Sequence, residues 1–230
     1  MALGTQSGRV VRYGSARVRD CLFLVADKNM EGILKGYLSR PGIHAALGCG
    51  PFNFDARRDL HVAHGQNDPG LYTRAKEFLQ PHSRSYRYAA VIMDEAWDGS
   101  PGAAEIERKL TDHLTQAGWS MQDSCAVVIA PELENWIWQD SPHVCTHLGF
   151  NGSFSDLRQL LERKGLWRAG DIKPYRPKEA VEEILRISRI PRSSAIYRDL
   201  AACIGSRGCS DRAFLTLRDA MRRWFPVASS

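Results

Sequence analysis

The stretch that most constrains this chain runs from Ala90 to Gly102. Four apolar residues, Ala90, Val91, Ile92 and Met93, lead into the acids Asp94, Glu95 and Asp98. A turn follows at Gly99, and Ser100-Pro101 reads as a helix start, with serine as N-cap and proline at the first helical position. A continuously apolar strand is one covered on both faces, as in a parallel sheet. In open α/β sheets, ligands bind outside the carboxyl ends of the strands, which is where these acids stand.

Two other stretches have the same shape. Cys21 to Ala26 is apolar and ends at Asp27-Lys28; Asn29 then caps a helix whose inner face carries Ile33, Leu34, Tyr37 and Leu38. Gly32 and Gly36, four apart on that helix, allow close approach to the sheet. Ala126 to Ala130 is a short apolar strand, and a helix is expected from Pro131 to Trp138. At about 100° per residue, that helix sets Glu132 and Glu134 on opposite flanks, about 200° apart, so that one faces the acid cluster and the other caps or solvates the first turn. Between these units, Ile43 to Leu47 reads as a strand and Leu60 to Ala63 as a shorter one, joined by a turn at Gly48-Cys49-Gly50-Pro51. Asp68-Pro69 starts a helix through His82, and Pro101 to Ala117 forms another with Ile106, Leu110 and Leu114 inward.

Strands alternating with helices predict an α/β fold, a mainly parallel sheet flanked by helices with right-handed crossovers. From Phe154 onward the patterning is helical only: Leu157–Lys164 behind a cap at Ser155, Lys178–Ser188, residues 193–204, and a last helix opened by Ser210. The expected organisation is a loose, Gly/Arg/Ser-rich N-terminal arm over residues 1–18, an α/β core over 19–150, and a helical C-terminal part over 151–230 packed on that core.

Charge divides along the same line. The net charge of +5 combines −3 over residues 1–157 with +8 over residues 158–230. An acid-lined first part with a basic tail suits a metal site beside a polyanion contact; a merely soluble basic surface explains the tail equally well. No apolar run approaches the roughly 18–20 residues of a membrane span, and the N-terminus lacks an apolar signal segment. The six cysteines form no C-x-x-C pair and read as free thiols, so a cytoplasmic protein is expected.

The strand ends bring Asp27, then Asp94 and Asp98, then Glu132 or Glu134 to one edge. Neighbouring parallel strands lie about 4.8 Å apart. Carboxylates that close repel one another unless a cation or proton intervenes. An all-oxygen set favours Mg²⁺ or Mn²⁺. Lys28 either neutralises a phosphate oxygen or pairs with an acid. His143 and His147, four apart with Cys145 between them, share one helical face, but the sequence shows no third ligand, so zinc is not the expected metal.

The order strand-acid-helix at 21–38, strand-Asp at 90–98 and strand-Pro-Glu-Leu-Glu-x-Trp at 126–136 resembles the Toprim fold of topoisomerases, primases and overcoming-lysogenization-defect-type nucleases. The segment Pro131–Trp138, with Pro177-Lys178, Tyr197 and Ser210–Phe214, is similar to an uncharacterised Toprim-like family of bacterial anti-phage defence islands, including methylation-associated ones. The chain departs from the Toprim pattern in two places. Asp27 stands where Glu is usual, with Glu31-Gly32 four residues later, and Asp94-Glu95-Ala96 stands where Asp-x-Asp is usual. The resemblance implies a Mg²⁺- or Mn²⁺-dependent nuclease, with Asp27, Asp94, Asp98 and Glu132 or Glu134 on the metal and Lys28 steadying phosphate. The basic helical tail, including Lys173, Lys178 and Arg222, is then expected to face nucleic acid or a partner, and the resemblance implies an ATPase or methyltransferase as that partner. The competing expectation is a catalytically degenerate subunit, an adaptor or sensor in a defence complex.

Overall fold

The computed structural model describes residues 18–205 and 209–228. The arm expected over residues 1–18 therefore lies, but for Val18, outside the described residues. In chain order the elements are β1 (Arg19–Val25), α1 (Lys28–Leu38), α2 (Ile43–Leu47), β2 (Leu60–Val62), α3 (Asn67–Leu79), β3 (Tyr86–Asp94), α4 (Ala103–Ala117), β4 (Ser124–Ile129), α5 (Pro142–Leu148), α6 (Phe154–Arg163), α7 (Pro177–Ser188), α8 (Ser194–Cys203) and α9 (Arg212–Trp224). Short 3-10 turns at Gln80–His82 and Leu133–Trp136 complete the set.

Among the described residues the sheet has four strands, all parallel, in the order β2-β1-β3-β4. With the right-handed crossovers that parallel connections adopt, this strand order sets α1 on one face and α3 and α4, which pack together, on the other. The helical tail completes the first face: α8 packs on α1, and α9 lies along β4. Tyr88 of β3 stacks on Trp224 of α9 with ring centroids 5.0 Å apart, and Tyr37 of α1 meets Phe214 edge-on. The tail thus shares one core with the sheet, through Tyr197, Leu200, Leu217 and Met221, all fully buried. No helix among the described residues is long and apolar enough to cross a membrane.

Several local expectations need correction. The caps expected at Asn29, Ser155 and Ser210 fall on Asp27, Ser153 and Asp211, whose side chains accept the first-turn N–H groups. Residues 43–47 form a helix, not a strand: Gly42 and Gly48 flank it in the left-handed region at φ 70°, and the Gly48 N–H closes its last turn. Five residues are too few to show a period, whereas a left-handed glycine is a common helix terminator. The close approach made possible by Gly32 and Gly36 is to α8, not to the sheet. A Cβ on Gly36 would lie 2.0 Å from the Arg198 carbonyl oxygen, and one on Gly32 2.5 Å from that of Ser194. Helix α4 begins at Ala103 rather than Pro101, with the Glu95 carboxylate accepting the Ala103 N–H at 3.0 Å. The segment after β4 is a cis Ala130–Pro131 peptide, an extended Glu132 and one 3-10 turn, not an α-helix.

Candidate metal centre at the carboxyl edge

The chain leaves β1 for β2 on one side, then returns to place β3 on the other, so the order of strand addition reverses between β1 and β3 while every strand stays parallel. Such a switch point opens a crevice at the carboxyl edge. Val25 pairs with Ile92, which carries Asp27 and Asp94 to the same level two residues further on. Asp27 ends β1 as the N-cap of α1, its Oδ1 accepting the N–H groups of Asn29 and Met30 at 2.8 and 2.9 Å. It also lines an open groove with Lys28, Asn29, His64 and Asn67.

Asp94 is the centre of the cluster. Its Oδ1 is buried without a hydrogen-bond partner. Burial first, then the charges of Asp68, Glu134, Asp27 and Glu132, push its carboxyl well above the usual carboxylate range. Asp68, in the first turn of α3, accepts the Asp94 backbone N–H at 2.8 Å. Burial, with the Asp27 charge adding to it, pushes the Asp68 carboxyl up to about 6 against the pull of that N–H and of Lys178. Burial also raises Glu132, opposed by Lys178, whose Nζ lies 3.7 Å away.

Both glutamates of the Pro-Glu-Leu-Glu segment face this edge, contrary to the 200° separation of a regular helix. Glu132 is extended (φ −152°, ψ 160°) and Glu134 sits in the 3-10 turn, so helical spacing does not apply. Glu134 is buried and held from the tail: its Oε1 accepts Arg192 Nη2 at 2.5 Å and the Tyr197 hydroxyl at 2.7 Å. Arg192 also donates to Glu182 at 2.9 Å. Trp138 Nε1 donates to the Pro177 carbonyl at 3.0 Å, which fixes the start of α7 and hence Lys178.

The sequence-expected residues divide accordingly. Asp27, Asp94, Glu132 and Glu134 come together, and Lys178 joins them. Lys173 is bonded to the carbonyl of Asn135, the residue after Glu134, at 2.6 Å and lines a groove with Asn135 and Asp211. Lys28 is exposed and pairs with Glu31 at 2.7 Å, the structural alternative weighed for it. Asp98 is exposed in the turn before α4 and is not among the charges acting on Asp94; Asp68 takes the place expected for it. Arg222 lies at the opposite edge. Helix α9 runs from Asp211, which holds Asn135 and Trp136 beyond β4, to Trp224, which holds Gln122 before it, and Arg222 donates to the Leu47 carbonyl at 2.8 Å.

Sequence reasoning missed Asp68 and Arg192. Asp68 looks like an ordinary first-turn acid, and only the return of α3 toward β3 aims it at Asp94. Arg192 is one arginine in a basic tail, distinguishable only by the buried acid it meets.

An α/β protein with five carboxylates crowded at a sheet switch point is the class that this geometry defines. No protein-family model, curated protein or solved structure matches the chain.

Proposed function

We propose that the carboxyl edge is a Toprim-like divalent-cation site and that the chain is a Mg²⁺- or Mn²⁺-dependent nuclease of a bacterial, cytoplasmic anti-phage defence system. The observation that carries this reading is the buried, unpartnered Oδ1 of Asp94 among four other acids. A buried carboxylate is ordinarily paired or bound to a metal. An all-carboxylate set is the chemistry of Mg²⁺ and Mn²⁺. Asp94 and Asp27 would hold the ion directly, with Asp68 and Glu132 beside them and Glu134 fixed by Arg192 and Tyr197. A bound ion would supply an activated water and would neutralise charge on a phosphodiester. Lys178 and Lys173 stand where the phosphates of a nucleic acid entering this edge would pass. Lys28, on the rim of the groove beside Asp27, can exchange Glu31 for a phosphate oxygen.

The reading is tested by incubating the purified chain with supercoiled plasmid and with RNA in Mn²⁺. Cleavage is expected that disappears in Asp94→Asn while the fold is retained. Equal cleavage by the variant, or none by either protein, removes the nuclease reading.

One observation favours the second reading, a degenerate adaptor or sensor beside a partner ATPase or methyltransferase. Asp27 already caps a helix, Glu134 is already paired, and no three of these carboxylates stand among the described sets with ligand atoms within 4.8 Å of one another. In a defence assay, protection that survives Asp94→Asn supports the adaptor, and protection lost with the fold intact supports the enzyme.

A further inference from the structure

A second cluster lies away from the acid edge, where α5 packs on α8. His143 and His147 are one turn apart on α5, whose other face buries Val144, Cys145 and Leu148 in the core. Cys203, the last residue of α8, faces them. One ring nitrogen from each histidine and the Cys203 sulfur all lie within 4.8 Å of one another, the described residues' set of three such side chains at that spacing. Asp199 stands one turn before Cys203 on α8. Its carboxyl is held below the usual range by Arg198, 2.8 Å away, and further by His147. Two α5 histidines and two α8 residues thus converge across one helix–helix contact.

We propose that His143, His147 and Cys203 form a binding site for a thiophilic divalent transition metal, with Zn²⁺ as the physiological ion. Imidazole and thiolate together select Zn²⁺ and Co²⁺ over Mg²⁺ and Ca²⁺. With bonds of about 2.0–2.3 Å, a tetrahedral ion holds its ligand atoms roughly 3.4–3.7 Å apart, so a small contraction of the observed set closes on it. On binding, the Cys203 thiol gives its proton to solvent as the metal–sulfur bond forms, and the histidines ligate through unprotonated nitrogens. His143 and Cys203 are exposed and His147 half-buried, so the ion enters from solvent and the fourth position is open to water or to Asp199. The ion would tie α5 to α8, the helix that carries Tyr197 to Glu134. The site lies away from the acid edge, and among the described residues none of its three ligand side chains is held by another hydrogen bond.

The test is a Co²⁺ titration of the full chain followed by absorption. One equivalent should produce thiolate-to-cobalt charge transfer in the near ultraviolet and the intense d–d bands of a tetrahedral ion, both removed by one equivalent of Zn²⁺. Cys203→Ser and His147→Ala should abolish these bands with unchanged circular dichroism, and Cys145→Ala and Asp94→Asn should retain them. Absence of a charge-transfer band in the wild-type chain overturns the proposal. So does a band that persists in Cys203→Ser, which would place the ion on another thiol.

Discussion

The carboxyl edge and the α5–α8 contact both gather candidate ligands, and they do so in opposite ways. At the edge, the groups are half-buried to buried, alike in charge and mostly tied individually: Asp27 to the start of α1, Asp68 to the Asp94 N–H, Glu134 to Arg192 and Tyr197. Their mutual repulsion calls for a cation, but their spacing is not yet that of ligands. Between α5 and α8, the groups lie near the surface with their ligand atoms within 4.8 Å of one another, a small contraction from ligand spacing, while little charge demands an ion. Burial and like charge report how strongly a site wants a cation, whereas spacing reports how ready it is to hold one. The two properties separate here because the first site is built on strand ends, whose positions the sheet fixes, and the second on helix surfaces, where side chains are free to turn.

Arg192→Ala offers the most severe way to break the contrast. It leaves Glu134 buried without its cation, and thermal or urea unfolding should show a loss of about 3–5 kcal/mol. A loss under about 1 kcal/mol would mean that the acid edge is far better solvated than described.

The pH dependence is next in size. The Asp68 carboxyl is raised to about 6 in the fold from an ordinary value of 3.8. The folded chain therefore keeps a proton that the unfolded chain has released, and stability falls as pH rises from about 4 through about 6. Asp68 accounts for up to about 3 kcal/mol of this, and Asp94 shifts in the same direction. The metal-free protein should accordingly be more stable at pH 5 than at pH 7.5, and Mn²⁺ should recover the difference mainly at the higher pH. Urea melts at the two pH values, with and without Mn²⁺, measure both effects.

Gly36→Ala comes third. Its methyl would strike the backbone of α8, and overpacking of this kind costs about 1–3 kcal/mol. Because α8 carries Tyr197 on one side and Cys203 on the other, this variant should disturb both regions together, where Asp94→Asn disturbs only one. Lys28→Ala is expected to leave stability unchanged, since its partner pair is exposed. Cleavage of nucleic acid should nevertheless weaken, which gel assays at matched Mn²⁺ would show.

Much of the carboxyl edge was legible in the residues because long apolar runs ending in acids have few other uses. Cys21 to Ala26, Ala90 to Asp94 and Ala126 to Ile129 became β1, β3 and β4 in parallel, and the tail proved helical as its patterning required. What was not legible depended on contacts distant in sequence. The glycines of α1 were recognised as a contact surface, yet their partner α8 lies about 160 residues away. Tyr197 belonged to the quoted tail pattern with no partner assigned, and its hydroxyl turns out to meet Glu134. The histidine pair lacked a third ligand in the sequence because Cys203 reaches it only through the packing of α8. Glu132 and Glu134 were misplaced for a local reason: a helical period was applied to a 3-10 turn with an extended residue before it.

The central claim is that the buried Asp94 carboxylate exists to hold a hard divalent cation. Calorimetric titration of the full chain with Mn²⁺ at pH 7.5, beside the Asp94→Asn variant, tests it most directly. One Mn²⁺ per wild-type chain, and none in a variant of equal or higher thermal stability, is the predicted result. Identical titrations for the two proteins, whether both bind Mn²⁺ or neither does, would contradict it.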